Sequence, residues 1–308
     1  MWIDSHCHLA HSRFQDDLDA VVDRAGQAGV EKVVVPATDL ASAARALEMA
    51  ERFDPLHVAV GVHPCDVDSL QGEAWVSRLD VLLNHPKAVA VGEIGLDFYH
   101  APPAGWSSER WGNWQEHCLR LQLDLAAARQ LPVILHQRQS MARLRAVMDQ
   151  YHGRVRAVFH CFTGELEEAL GLIALGHVVS FTGLVTFPMR WRQPREQQGE
   201  FELPAWVRDP DAPLPSSPAA LAAVPALKSL MGLPAGSFML ETDAPYLAPG
   251  PFRGRRCEPA HLALTGQAAA MARGCEWPAL ARQTSDCAKQ FFGLNSVKPT
   301  WDMPSGPG

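Results

Sequence analysis

The feature that most constrains the fold is an alternation of two local patterns along the whole chain. Short apolar runs rich in β-branched residues recur at Met1–His6, Lys32–Pro36, His57–Val62, Ala88–Glu93, Pro132–His136, Val155–His160, His177–Phe181 and Ser237–Glu241. Between them lie segments with helical spacing, such as Leu18, Val21, Val22 and Ala25, or the less regular stripe Leu119, Leu121, Leu123, Leu125 and Ala126. Runs such as Lys32-Val33-Val34-Val35 and Val133-Ile134-Leu135 lack the in–out alternation of a half-exposed antiparallel sheet. They read as parallel strands buried on both faces. Strand then helix, eight times, predicts an α/β fold: a single-domain (β/α)8 TIM barrel. An open doubly wound sheet is the rival, because a count of strands does not show closure.

Two regions break the rhythm. Residues 188–225 hold eight prolines and no long apolar run, and read as an insertion between the seventh strand and its helix. Residues 297–308 read as a frayed tail, which leaves 1–296 as the barrel. The seven cysteines show no regular spacing in a chain too long to need disulfide staples, so they read as reduced thiols. The N-terminus lacks a basic region followed by an apolar run. No stretch approaches the roughly 20 apolar residues that span a bilayer. The expectation is a cytoplasmic protein with no membrane contact, a monomer with no obligate protein partner. A net charge of −7 excludes a broad basic surface for duplex binding, so any nucleic-acid contact must be local.

In Asp4-Ser5-His6-Cys7-His8 the two histidines stand two apart at the end of the first strand, so an extended chain points both imidazoles the same way. That spacing suits two ligands on one ion, although an isolated His-x-His is more often a hydrogen-bonded pair. Other metal-capable side chains close other strands: Glu93, His136, His160 and Asp243. In a barrel those ends converge on one face, where residues far apart in sequence meet in one cavity. Four imidazoles and two carboxylates exceed what one ion needs. The set predicts two divalent ions of the Zn, Mn or Mg kind, with Glu93 as bridge.

Five blocks carry a more specific signal: Asp4-Ser5-His6-Cys7-His8-Leu9, Gly61-Val62-His63-Pro64, Gly92-Glu93-Ile94-Gly95-Leu96-Asp97-Phe98, Phe159-His160-Cys161-Phe162-Thr163-Gly164 and Leu240-Glu241-Thr242-Asp243-Ala244-Pro245-Tyr246-Leu247-Ala248-Pro249. In this order they resemble the signature blocks of the TatD family of metal-dependent deoxyribonucleases. The resemblance implies that His6 and His8 hold one ion and His136 and His160 the other, with Glu93 between them and Asp243 beside the first. It also implies cleavage of DNA phosphodiesters, from a 3′ end and on single strands. Two blocks depart from the family: His136-Gln137-Arg138-Gln139 has Gln where an Asp is usual, and Arg253-Gly254-Arg255-Arg256-Cys257-Glu258-Pro259 has Cys where an Asn is usual.

Arg253 and Arg255 follow the eighth strand and are candidates to hold a substrate phosphate; a solvated basic turn is an equal reading. His63 is a candidate phosphate contact or proton donor. Cys7 and Cys161 read as packing residues turned away from the ions, and Trp106, Trp111 and Trp114 as packing rather than base-stacking platforms. Asp243 and Glu93 are the candidate catalytic residues, acting on a water that attacks phosphorus. The alternative is a small-molecule hydrolase acting on an amide, ester or lactone. The five lysines lie away from strand C-terminal ends, so a carboxylated-lysine bridge of the kind many such enzymes use is not offered. A catalytically silent barrel that binds nucleic acid or a protein ranks last, since all six ligand candidates are present.

Overall fold

A computed structural model describes residues 1–70, 72–187 and 225–294. The 188–225 insertion, apart from Pro225, and the 297–308 tail lie outside these. All eight predicted strands form: β1 (Trp2–Asp4), β2 (Val30–Pro36), β3 (Leu56–Val60), β4 (Ala88–Asp97), β5 (Val133–Arg138), β6 (Ala157–Phe159), β7 (Val178–Phe181) and β8 (Phe238–Leu240). Their spatial order is their sequence order, and each neighbouring pair is parallel. Backbone hydrogen bonds also cross the seam between β8 and β1. Ser5 N–H donates to Leu240 O (3.2 Å), Asp243 N–H to His6 O (2.9 Å) and His8 N–H to Ala244 O (2.8 Å). The ring is therefore drawn shut, and the open-sheet alternative falls.

The buried apolar residues separate into two clusters because strand side chains alternate. Ile3, Val34, Ala90, Ile134, Val158 and Met239 point inward and pack together. Val33, Val35, Val58, Val60, Leu135 and Phe181 point outward against the helices. That division is why the strands read as continuous apolar runs. The last helix, α9 (Trp277–Phe292), adds Cys287, Ala288, Phe291 and Phe292 to the inner cluster. Ser285 Oγ on that helix donates to Met1 O (3.2 Å), so α9 closes the barrel at the strand N-termini and leaves the C-terminal end free.

The surrounding helices are α1 (Leu18–Gln27), α2 (Leu40–Arg52), α3 (Ala74–Leu82), α4 (Ser108–Arg129), α5 (Met141–Asp149), α6 (Leu166–Ala174), α7 (Pro225–Gly232), α8 (Leu262–Arg273) and α9. The longest, α4, starts where Ser107 Oγ accepts the Arg110 N–H (3.2 Å). Its buried stripe contains Trp111, Cys118, Leu119, Leu123 and Ala126, as the helical spacing requires, and also Gln115 and Gln122. The two glutamines dock on strand ends as a neighbouring strand would. Gln122 Oε1 accepts Val62 N–H (2.7 Å) while its Nε2 donates to Val62 O (3.1 Å). Gln115 makes the same pair of bonds with Asp97, at 2.9 and 3.0 Å. Backbone groups that leave the sheet ladder beside the cavity are thereby satisfied.

Close approach between β4 and β5 depends on glycine. A Cβ at Gly95 would lie 2.0 Å from His136 O, and one at Gly92 would lie 2.8 Å from Ile134 Cβ. Only glycine lets the strand carrying Glu93 sit this tightly against the strand carrying His136.

Candidate metal centre

The six ligand candidates meet at the strand C-terminal end, arranged around one carboxylate. Glu93 Oε2 lies 3.3 Å from His6 Nε2 and 3.5 Å from His8 Nε2. Its other oxygen, Oε1, lies 2.7 Å from His160 Nε2 and 2.9 Å from His136 Nδ1. Asp243 Oδ1 completes the first group, 3.4 Å from His8 Nε2 and 3.7 Å from His6 Nε2. The two imidazoles of the His-x-His segment come within 3.1 Å, Nε2 to Nε2, as expected of a same-side pair.

These spacings test whether cations fit. Ligand bonds of ~2.0–2.2 Å at tetrahedral angles put neighbouring donor atoms roughly 3.4 Å apart. The first group spans 3.1 to 3.7 Å, around that value. In the second group the contacts are 2.7, 2.9 and 3.4 Å, slightly tighter. The donor set is nitrogen and oxygen only, and Glu93 divides its oxygens between two imidazole pairs, which is what a bridging carboxylate does. The residues fit two divalent ions.

Electrostatics point the same way. Burial opposes ionisation of Glu93, but the facing imidazoles of His160, His6 and His63 outweigh it and hold the carboxyl well below its usual range. Burial likewise opposes protonation of His160, yet Glu93 and Glu241 raise it well above the ordinary imidazole value. His8 is raised despite burial, by Asp243 and Glu93, and His136 by Asp97 and Glu93. His6 is lowered by burial and by His160 beside it, with ring centroids 4.0 Å apart. The cluster thus holds anionic carboxylates and attracts positive charge, as protons or as the cations that replace them.

Three further carboxylates stand behind the ligands, in blocks quoted above but without an assigned role. Glu241 Oε1 lies 3.4 Å from His160 Nδ1 and accepts the Cys161 N–H at 2.7 Å. Asp97 Oδ2 lies 3.1 Å from His136 Nε2. Asp4 accepts Thr242 N–H (2.9 Å) and Oγ1–H (2.6 Å), and burial pushes its carboxyl up to about 8. A ligating imidazole needs a partner on its second nitrogen to fix its tautomer and orientation. Asp97 meets that need for His136, and Glu241 is the carboxylate beside His160 Nδ1 at 3.4 Å; the signal available in sequence is a carboxylate a few residues from a strand-end ligand. The fourth apolar run of the sequence ends at Glu93, whereas β4 continues to Asp97 and delivers it to the site.

The centre opens into a cleft of ≈ 1110 Å³ whose wall includes His63, Arg45, Arg138, Cys161, Trp111 and Tyr246. His63 Nδ1 accepts the Cys65 N–H (3.1 Å), which leaves Nε2 as the donor, 3.7 Å from Glu93 Oε1. Burial pulls the His63 pKa down to about 3, so this imidazole is neutral. Arg253 and Arg255 are not brought into the cleft wall; both are exposed, and the Arg253 guanidinium lies over the Phe187 ring at 4.5 Å. Arg256 is taken by Asp17, with two bonds of 2.7 Å. Cys7 packs in the outer core, but Cys161, in a left-handed conformation (φ 48°), faces the cleft rather than the packing. Trp114 Nε1 donates to Val67 O (2.8 Å), a packing role, while buried Trp111 reaches the cleft. Gln139, one of the departures from the family pattern, is exposed and outside the cleft wall.

A closed parallel barrel with a histidine–carboxylate cluster at its strand C-termini defines a metal-dependent hydrolase. The family model described as TatD related DNase matches residues 3–293, and the chain belongs to that family. A relative from Bacillus subtilis, described as an uncharacterized metal-dependent hydrolase YabD, is 30% identical over 298 residues, covering 96% of this chain and all of the relative. One from Edwardsiella piscicida, described as a 3′-5′ ssDNA/RNA exonuclease TatD, is 32% identical over 301 residues, covering 95% of this chain and 99% of the relative. The crystal structure of the TatD homologue YjjV from Escherichia coli superposes with a TM-score of 0.76 at 29% identity, covering 95% of this chain and 98% of that one.

Proposed function

We propose that this chain is a two-metal phosphodiesterase that removes nucleotides from the 3′ end of single-stranded DNA. The observation that carries the reading is the division of Glu93 between two imidazole pairs, at 3.3 and 3.5 Å on one oxygen and 2.7 and 2.9 Å on the other, on the floor of an open cleft. His6, His8 and Asp243 would hold one ion, His136 and His160 the other, and Glu93 both. When bound, the ions supply Lewis acidity toward a phosphoryl oxygen and a lowered pKa for water between them. The relatives described as 3′-5′ ssDNA/RNA exonucleases support the substrate class.

The chain's own residues account for the remaining steps. Asp243 accepts the proton of the attacking water on the carboxylate oxygen that would not hold the first ion, and its carboxyl, held below its usual range by His8 and His6 despite burial, is ionised and ready to do so. His63 donates its neutral Nε2–H to a non-bridging phosphate oxygen; with a pKa of about 3 it serves as a hydrogen-bond donor, not as a proton reservoir. Arg45 and Arg138 in the cleft wall take neighbouring phosphates, ahead of the more remote Arg253 and Arg255. Tyr246, 46% exposed at the cleft, offers a face for a base to stack on.

Digestion of end-labelled single-stranded DNA tests the reading, using metal-free protein before and after addition of Mg²⁺, Mn²⁺ or Zn²⁺. The His6→Ala/His8→Ala double variant is the control. Metal-dependent ladders from the 3′ end that are absent from the variant are the expected result. No cleavage with any ion, together with turnover of a chromogenic ester or lactone, would transfer the function to small-molecule hydrolysis.

A further inference from the structure

A second set of donors lies in the same cleft, outside the six-residue centre. Cys65 follows β3 and His100 follows β4, and between them is the fully buried Asp97. His100 Nδ1 is 2.8 Å from Asp97 Oδ2 and 3.8 Å from Cys65 Sγ, and one donor atom from each of the three falls within 4.8 Å of the others. Bonds of ~2.3 Å to sulfur and ~2.0–2.1 Å to nitrogen at a tetrahedral angle set S and N roughly 3.6 Å apart. The Cys65–His100 separation of 3.8 Å is close to that value, while the 2.8 Å between His100 and Asp97 is a hydrogen bond that an entering ion would open.

We propose that Cys65, Asp97 and His100 form a third cation site, selective for zinc-type ions, in the cleft wall beside the dinuclear centre. Its three ligands come from one thiolate, one carboxylate and one imidazole, the donor classes of a three-ligand zinc site with a fourth position left open. That position faces the cleft, where a substrate phosphate or water fills it. Burial and the neighbouring carboxylates of Asp97, Asp66 and Glu93 push the Cys65 thiol up to about 12, so the thiolate forms only as an entering cation displaces its proton. The backbone holds Asp97 in place from its other oxygen, Oδ1, which accepts the N–H groups of Tyr99 and His100, both at 2.9 Å. Asp97 Oδ2 also contacts His136 Nε2 (3.1 Å), so the third ion is separated from the second by one carboxylate and one imidazole. Loading one site therefore alters the ligand strength of the other. Magnesium, a hard ion, does not take a thiolate ligand and leaves this site empty.

The dinuclear ligands are nitrogen and oxygen only, so sulfur ligation reports the third site separately from the centre and from the nuclease reading. The metal-free protein is loaded with Co²⁺ and its near-ultraviolet spectrum recorded, alongside the variants Cys65→Ser, His100→Ala and, as control, Cys161→Ser. The expected result is a sulfur-to-cobalt charge-transfer band that disappears in Cys65→Ser, weakens in His100→Ala and persists in Cys161→Ser. Zinc analysis should find one ion fewer per chain in Cys65→Ser than in the parent. His100 is 54% exposed, so its variant tests the site without disturbing the core. Absence of the band, its persistence in Cys65→Ser or equal zinc content in the two proteins overturns the proposal.

Discussion

Asp243 sits in the left-handed region (φ 55°), which aspartate enters more readily than most residues with a side chain. Its N–H donates to His6 O (2.9 Å) and its carbonyl accepts the Tyr246 N–H (2.9 Å), so the seam of the barrel sets the carboxylate's direction. On the proposed mechanism, Asp243→Asn keeps the shape and a ligand oxygen but removes the base. We expect both ions to remain bound by metal analysis while turnover falls by about 10²–10⁴; undiminished activity would take Asp243 out of the mechanism. Glu241 acts at one remove, through His160. Glu241→Gln removes the negative charge beside His160 Nδ1, and calorimetric titration should show metal affinity weakened by about 10–100-fold at one site. A loss of folding with unchanged affinity would instead make Glu241 a packing residue.

At the scale of elements, α4 shows how a helix can position a site it does not line with ligands. Its leucine stripe is legible from spacing, while nothing local marks Gln115 or Gln122 as buried. Each satisfies one N–H and one C=O at a strand end, and Val62 is followed by His63 in the cleft. Gln122→Leu keeps the volume and orphans both Val62 groups. Leaving two buried polar groups unpaired costs about 2–4 kcal/mol, which the urea midpoint should register. An unmoved midpoint would mean that water replaces the amide. The strand read as ending at Glu93 extends to Asp97 for a related reason: its last residues, Ile94 to Asp97, continue to pair with β5, a partner that a sequence cannot display.

For the whole molecule, acid and metal should act in opposite senses on stability. His177, 4% exposed at the start of β7, accepts the Ala157 N–H on Nδ1 (3.3 Å), and burial lowers its pKa from 6.5 to about 4. A depressed folded-state pKa means that its stabilisation is complete above pH 6.5 and is lost as pH falls through about 4. That share is on the order of 3 kcal/mol. His177→Asn, whose Oδ1 can replace Nδ1 as acceptor, should flatten the stability–pH curve between those values; an unchanged slope would assign it to other groups. On the proposed reading divalent ions bind the folded centre, so thermal unfolding should move upward by the equivalent of about 2.7 kcal/mol per site at a free concentration a hundredfold above Kd. The His6→Ala/His8→Ala variant should lose most of that rise.

The repeating strand–helix order is legible in the sequence by itself, because strands buried on two faces must be apolar throughout and show it locally, whereas closure of the ring rests on the hydrogen bonds between β8 and β1. The sequence also determined the six residues at strand ends, because a barrel brings those ends together whatever the loops between them do. Only the tertiary structure decided which oxygen of Glu93 faces which imidazole pair and that Asp97 and Glu241 stand behind His136 and His160. It also decided that Arg45 and Arg138, not Arg253 and Arg255, line the cleft. Those outcomes depend on strand stagger, the β4–β5 approach at Gly92 and Gly95, and loop paths. They arise from distances between segments remote in sequence, which no local pattern encodes.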